Sequence, residues 1–172
     1  MARDPLADPG PLIRRVYAYV AYRIGDGAEA EDVTSEAFER ALRYRDSYDP
    51  RRGEPVAWLI GIARRCIESA RLRPEPLGTV DEAADPIDLE GMAIERLTLQ
   101  HAIRRLDDRD RELIALRYGS DLSARQIGEL LDLRTNAVEV ALHRALGRLR
   151  KLLEGDDAAQ AEARLRERPS TL

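Results

Sequence analysis

Residues 74 to 92 read PEPLGTVDEAADPIDLEGM, and this strip limits what the chain can fold into. It holds three prolines, two glycines, six acids and no base. Proline removes a backbone donor and disfavours helix in the residue before it. The strip therefore reads as a flexible acidic linker between two helical domains. On either side the sequence changes character. Ala, Leu, Arg and Glu dominate, which favours helix.

The first block offers three helices. Leu12 to Ile24 places Ile13, Val16, Tyr17, Val20 and Ile24 on one face, and Gly25-Asp26-Gly27 ends it. About Glu29 to Tyr44 follows, with Val33, Ala37, Phe38, Ala41 and Leu42 as its stripe. Its first-turn acids suit the helix dipole. After a loop, SYDPRRGEP, the third helix spans about Val56 to Leu72, with Trp58, Leu59, Ile62, Ala63, Cys66 and Ile67 on its apolar side.

The second block offers four. Ala93 to Leu106 comes first, then about Arg109 to Tyr118, closed by Gly119. Ser123 to Leu131 is third, and Ser123-x-x-Gln126 has capping-box spacing. Asp132-Leu133-Arg134 makes a turn, and Thr135 or Asn136 caps a last helix running to about Leu153. Its stripe is Val138, Leu142, Ala145, Leu149 and Leu152. The fold class expected is all-α: two small helical domains, 10–73 and 93–153, with the linker at 74–92 and a short tail at 154–172.

Charge narrows the function. The net charge of −4 argues weakly against nucleic acid, but its distribution matters more. Residues 1–73 carry +1, the strip −6, residues 93–153 +3 and the tail −2. No apolar run approaches the ~20 residues of a membrane span, and MARDPLADPGP lacks the apolar core of a signal peptide. With a single cysteine, Cys66, no internal disulfide can form. A cytoplasmic protein without membrane insertion is expected.

Nothing gives a positive reason for catalysis. His101 and His143 form no His-x-x-x-His or Glu-x-x-His pair. Glu139 and His143 stand four apart on one helix, but no second half of a metal site accompanies them. Cys66 lies on an apolar stripe and reads as a buried structural thiol. No enzyme activity and no cofactor are expected. A helix-turn-helix is better supported, because two short helices with a tight turn can seat the second in the major groove. The basic run Arg144, Arg148, Arg150 and Lys151 can hold phosphates without reading sequence.

Three segments in this order resemble a known family: AEDVTSEAFERAL (Ala30 to Leu42), AWLIGIARR (Ala57 to Arg65) and LDDRDRELIALRYGSDLSARQIGELLDL (Leu106 to Leu133). Over about residues 10 to 153 the chain resembles bacterial RNA polymerase sigma factors of the sigma-70 family, in the extracytoplasmic-function (ECF) group. The resemblance implies that the first block is region two and the second region four. Asp32, Ser35, Glu36 and Glu39 would dock on the β′ clamp helices of core RNA polymerase. Tyr48, Arg51, Arg52, Gly53, Arg64 and Arg65 would open and hold the minus-ten promoter element. Arg125, Arg134, Thr135, Asn136, Glu139, Ala141, His143, Arg144 and Arg148 would meet the minus-35 element, and region four would touch the β flap. The family is commonly held by an anti-sigma factor, which the resemblance implies as a further partner.

The chain departs from the family pattern where Ser35 replaces a glutamine and Arg65 an asparagine. Glu139 and Ala141 also stand where basic residues are usual. Glutamate can accept from cytosine N4, and alanine can meet a thymine methyl. Two other readings remain open on the residues: a helix-turn-helix regulator acting without polymerase, and a helical adaptor that binds only protein. The first does not need AEDVTSEAFERAL; the second does not need the basic cluster.

Overall fold

The computed structural model describes residues 4–72 and 90–166. Every α-helix expected from the sequence is present, most ends lying within one to three residues of expectation. The first block folds as α1 (Pro9–Ile24), α2 (Ala28–Arg43) and α3 (Pro55–Arg71). Proline occupies the first turn of both α1 and α3, where its missing N–H costs nothing. The second block folds as α4 (Glu90–Arg105), α5 (Asp108–Ile114), α6 (Ala124–Leu131) and α7 (Thr135–Arg166). The expected linker, 74–92, lies outside the described residues except for Glu90–Met92, which open α4. Among the described residues no helix is long and apolar enough to cross a membrane.

The three helices of the first block pack on one another through Val16, Val20, Ala30, Val33, Ala37, Ala41, Leu59, Ala63 and Cys66, all buried. In the second block α4, α5 and α6 each pack on α7. A small cluster of Ala102, Ile103, Leu106, Ile114, Ala145 and Leu149 joins α4, α5 and α7. The larger core does not respect the boundary between blocks. It runs from Val16, Tyr19 and Ile67 into Leu113, Leu116, Leu122, Ile127 and Val138. The two domains are thus packed against each other.

This explains a correction to α1. Its buried set is Val16, Tyr19, Val20 and Arg23, whereas Ile13 is 45% exposed. The helix serves two neighbours, so its buried face is wider than a single stripe and is rotated towards Tyr19 and Arg23. The segment after α5 is also not a plain helix. Ala115–Gly119 forms a π-turn in which the Ser120 amide donates to the Ala115 carbonyl (3.0 Å). Such one-residue insertions re-aim a helix end. Here the turn brings Gly119 onto the backbone of α1, with no space for a side chain: a Cβ would lie 2.9 Å from both Cα and N of Tyr19.

The last helix runs to Arg166, well past Leu153. Gly155 follows closely on the expected end, but Arg105 on α4 holds Asp156 (2.6 Å) and the residues beyond are mostly Ala, Gln, Glu and Arg, which favour helix. The helix also begins at Thr135, so Thr135 and Asn136 lie in its first turn rather than at its cap.

Candidate nucleic-acid and polymerase surfaces

The helix-turn-helix is built around Ser123 and Gly128. Ser123 accepts from the Gln126 amide (3.2 Å), and the Gln126 side chain accepts from the Ser123 amide (2.9 Å), which closes the capping box. At the other end Asp132 adopts left-handed backbone (φ 56°). Its amide and that of Leu133 (2.8 Å) both donate to the Gly128 carbonyl. The chain folds so tightly over Gly128 that a Cβ there would lie 2.6 Å from the Leu133 carbonyl oxygen. This turn fixes the direction in which α7 leaves.

On α7, Val138, Leu142, Ala145 and Leu149 are buried, as the stripe requires. Arg134, Thr135, Asn136, Glu139, His143 and Arg144 are exposed together on the open side. Ala141 differs from expectation: it is half-buried and packs against the main core, because it sits one turn from Val138. Val140 is exposed at 47%. Glu139 and His143 line a depression of about 410 Å³ with Arg117, Ser123 and Ala124. Arg117 escaped the sequence reading; it donates to the Leu122 carbonyl (3.0 Å) and braces the entry to α6. Nothing in its local pattern marks it, since it faces α7 only through the π-turn. Arg125 is exposed at 82% and pairs with Glu129 on its own helix.

Arg148 also differs from the expected phosphate holder. Its Nε and Nη2 both donate to the carboxylate of Asp110, which is 4% exposed. That hydrogen bond raises the Arg148 pKa. The pair braces α7 against α5, so Arg148 has a structural partner, whereas Arg144 has none among the described residues.

In the first block Asp32, Ser35 and Glu39 are exposed along α2, and Glu36 pairs with Arg40 (2.6 Å). In the loop before α3 the Tyr48 hydroxyl donates to the Gly53 carbonyl (2.9 Å). The Tyr48 ring lies 5.5 Å from that of Trp58, tilted by 58°. Trp58 is half-buried, and this pair gives the loop an aromatic base from which Arg51 and Arg52 project into solvent. Arg65 is exposed. Arg64 is not free: it pairs with Glu112 of α5 (2.9 Å).

That pair belongs to a polar network between the domains. Glu112 and Asp108 stand one turn apart on α5. Arg23, buried at 7% exposure, pairs with both, at 2.6 Å and 3.0 Å. The Tyr19 hydroxyl donates to Glu112 (3.0 Å), and Arg71 pairs with Asp108 (3.0 Å). Burial pushes the Tyr19 hydroxyl well above its ordinary pKa, which keeps it a donor. Hydrogen bonds from Arg23 and Arg71 hold the Asp108 carboxyl well below the usual carboxylate range. Farther along, Arg15 donates to the carbonyls of Ser120 (2.7 Å) and Asp121 (3.0 Å), and Gln126 to Glu54 (3.2 Å).

Comparison with known proteins gives the same outline. Residues 11–73 match the family model for Sigma-70 region 2, and residues 96–149 that for Sigma-70 region 4. The chain is 30% identical over 171 residues to the ECF RNA polymerase sigma factor SigW of Bacillus subtilis, covering 88% of this chain and 90% of that one. It is 32% identical over 152 residues to the ECF RNA polymerase sigma factor BldN of Streptomyces coelicolor, covering 82% of this chain but only 57% of the relative. Among solved structures it is similar to CnrH in complex with the cytosolic domain of CnrY, with a TM-score of 0.62, 25% identity and coverage of 88% and 86%. RpoE of Bartonella quintana, in complex with the anti-sigma factor NepR, shares the fold at a TM-score of 0.62 and 19% identity, with coverage of 83% and 92%.

Proposed function

The chain belongs to the ECF group of the sigma-70 family of RNA polymerase sigma factors, and from that premise we propose that it binds core polymerase, recognises minus-35 and minus-ten elements and melts the latter. The observation that carries this reading is the pairing, on one chain, of a region-two block with a capped helix-turn-helix whose open side bears Arg134, Asn136, Glu139, His143 and Arg144. A stand-alone regulator does not need the region-two block, and an adaptor that binds only protein does not need the basic cluster from Arg144 to Lys151.

In this reading Asp32, Ser35, Glu36 and Glu39 on α2 dock on the β′ clamp helices, and region four touches the β flap. Tyr48, Arg51, Arg52, Gly53, Arg64 and Arg65 hold the melted minus-ten strand, on the aromatic base of Tyr48 and Trp58. Flipping a base out costs a few kcal/mol of unstacking, which aromatic and phosphate contacts must offset. On α7, Arg144 takes phosphate while Glu139, His143 and the exposed Val140 meet base edges. The protein acts in the cytoplasm without chemistry of its own. An anti-sigma partner is part of the proposal, supported by the complexes in which CnrH and RpoE were solved.

Transcription in vitro with core polymerase and a promoter library tests the whole reading. Transcripts from one shared pair of motifs support it; no chain-dependent transcripts would overturn it.

Two substitutions separate the roles on α7. Arg144→Ala should weaken binding to upstream promoter DNA and reduce the slope of log affinity against log salt by about one. Arg148→Ala should leave that slope nearly unchanged and lower thermal stability instead, because its partner is Asp110. Equal slopes for both variants and the parent would remove Arg144 from the phosphate contacts. Glu139→Ala should change base preference at one position more than overall affinity, read by selection from randomised minus-35 duplexes. A uniform change across all sequences would count against base reading.

A further inference from the structure

We propose that Glu112 and Asp108 of α5 act as a built-in phosphate surrogate: in the free chain they occupy Arg64 and Arg71 and so hold region four against the Arg64 edge of the DNA-holding side of region two, while Arg51, Arg52 and Arg65 stay exposed. This rests on the reading of Arg64 as a minus-ten contact.

The geometry carries the inference. The two carboxylates lie one turn apart on a single helix face and meet three arginines of the other domain, at 2.6 to 3.0 Å. Guanidinium groups pair bidentately with both carboxylate and phosphate oxygens. Exchanging the α5 carboxylates for a DNA backbone therefore leaves the donors of Arg64 and Arg71 served. The exchange needs the domains to part, and the interface is suited to that. It is closed by shape at Gly119, while much of its polar content is ionic and lines a cleft of about 550 Å³ between Arg64, Arg71, Arg109, Glu68 and Glu112. The partly exposed pairs of Arg64 and Arg71 contribute little net stability because solvent screens them, and in the buried Arg23–Glu112 pair desolvation offsets much of the attraction. Arg64 and Arg71 remain 32% and 44% exposed, so an incoming strand can reach them as the domains separate.

The test uses the full free chain, without polymerase, and a fluorescein-labelled random single-stranded 20-mer of DNA. Glu112→Gln with Asp108→Asn should widen the particle in small-angle scattering and tighten DNA binding roughly tenfold, as expected if about a tenth of the parent chain is open. A control with the same charge change, Glu29→Gln with Glu31→Gln on α2, should gain much less. Equal gains in the two double variants would show a net-charge effect and overturn the proposal. A wider particle without tighter binding, or no change in either, would also overturn it. If the α5 variant loses helicity, Arg15→Ala replaces it. That change removes the contacts to Ser120 and Asp121 and should likewise widen the particle and tighten DNA binding; failure to do so refutes the latch. Transcription by the parent chain with core polymerase reports the sigma reading separately. A latch that behaves as expected in a chain that supports no transcription leaves the closure standing and the function wrong. The converse result rejects only the latch.

Discussion

Gly128→Ala is expected to lower the thermal midpoint by roughly 2 to 12 °C and to abolish binding to upstream promoter DNA. Alanine is intrinsically the better helix residue, so propensity alone predicts a gain of up to ~1 kcal/mol. Space decides against it. The new Cβ would meet the Leu133 carbonyl oxygen at 2.6 Å, and this oxygen belongs to backbone that cannot swing aside. The Gly128 carbonyl also receives two amides of the turn, so any shift of the turn loosens those hydrogen bonds as well. Overpacking typically costs ~1–3 kcal/mol, and each kcal/mol moves the midpoint ~2–4 °C in a chain of this size. Gly147→Ala on α7 is the matched control, because nothing lies within 4 Å of its added Cβ. It should raise the midpoint slightly. Circular dichroism melts and gel shifts read both outcomes; a Gly128 variant as stable as the control would refute the close approach.

Gly119→Ala should act on the other tight approach, between the domains. Position 119 does not have left-handed backbone, so alanine is conformationally acceptable and only contact opposes it. The Cβ would meet Tyr19 N and Cα at 2.9 Å and the Ala18 carbonyl carbon at 3.0 Å. Helix α1 must withdraw, which exposes Tyr19 and Leu116, both fully buried. The expected result is retained helicity, a midpoint lower by roughly 2 to 12 °C and a larger radius in solution. An unchanged radius and midpoint would mean that the domains do not pack through Gly119.

Periodicity and end signals carry much of the architecture. The apolar spacing in α2, α3 and α7, the prolines that open α1 and α3, and the Ser123–Gln126 box are local features, and the helices follow them. What escapes the sequence depends on groups far apart in the chain. The π-turn after α5 follows from where α1 lies. Tyr19 and Arg23 join the α1 core only because a second domain covers them. Arg148 and Arg144 look alike on a helical wheel, and only Asp110, 38 residues away, distinguishes them. Likewise nothing around Arg64 announces Glu112. The candidate surfaces were therefore legible as lists of exposed charge, while the partners of those charges were not.

The contact between Tyr19 and Glu112 joins residues 93 positions apart. A ribosome adds ~5–20 residues per second, so Tyr19 is made about 5–20 seconds before the carboxylate it will meet. During that interval the nascent first three helices carry Tyr19 and Arg23 uncovered. A sequence able to wait in that state on the ribosome has on α1 a face that tolerates water, with a hydroxyl and a guanidinium in place of two more aliphatic side chains. The polar make-up of this contact suits birth in two instalments.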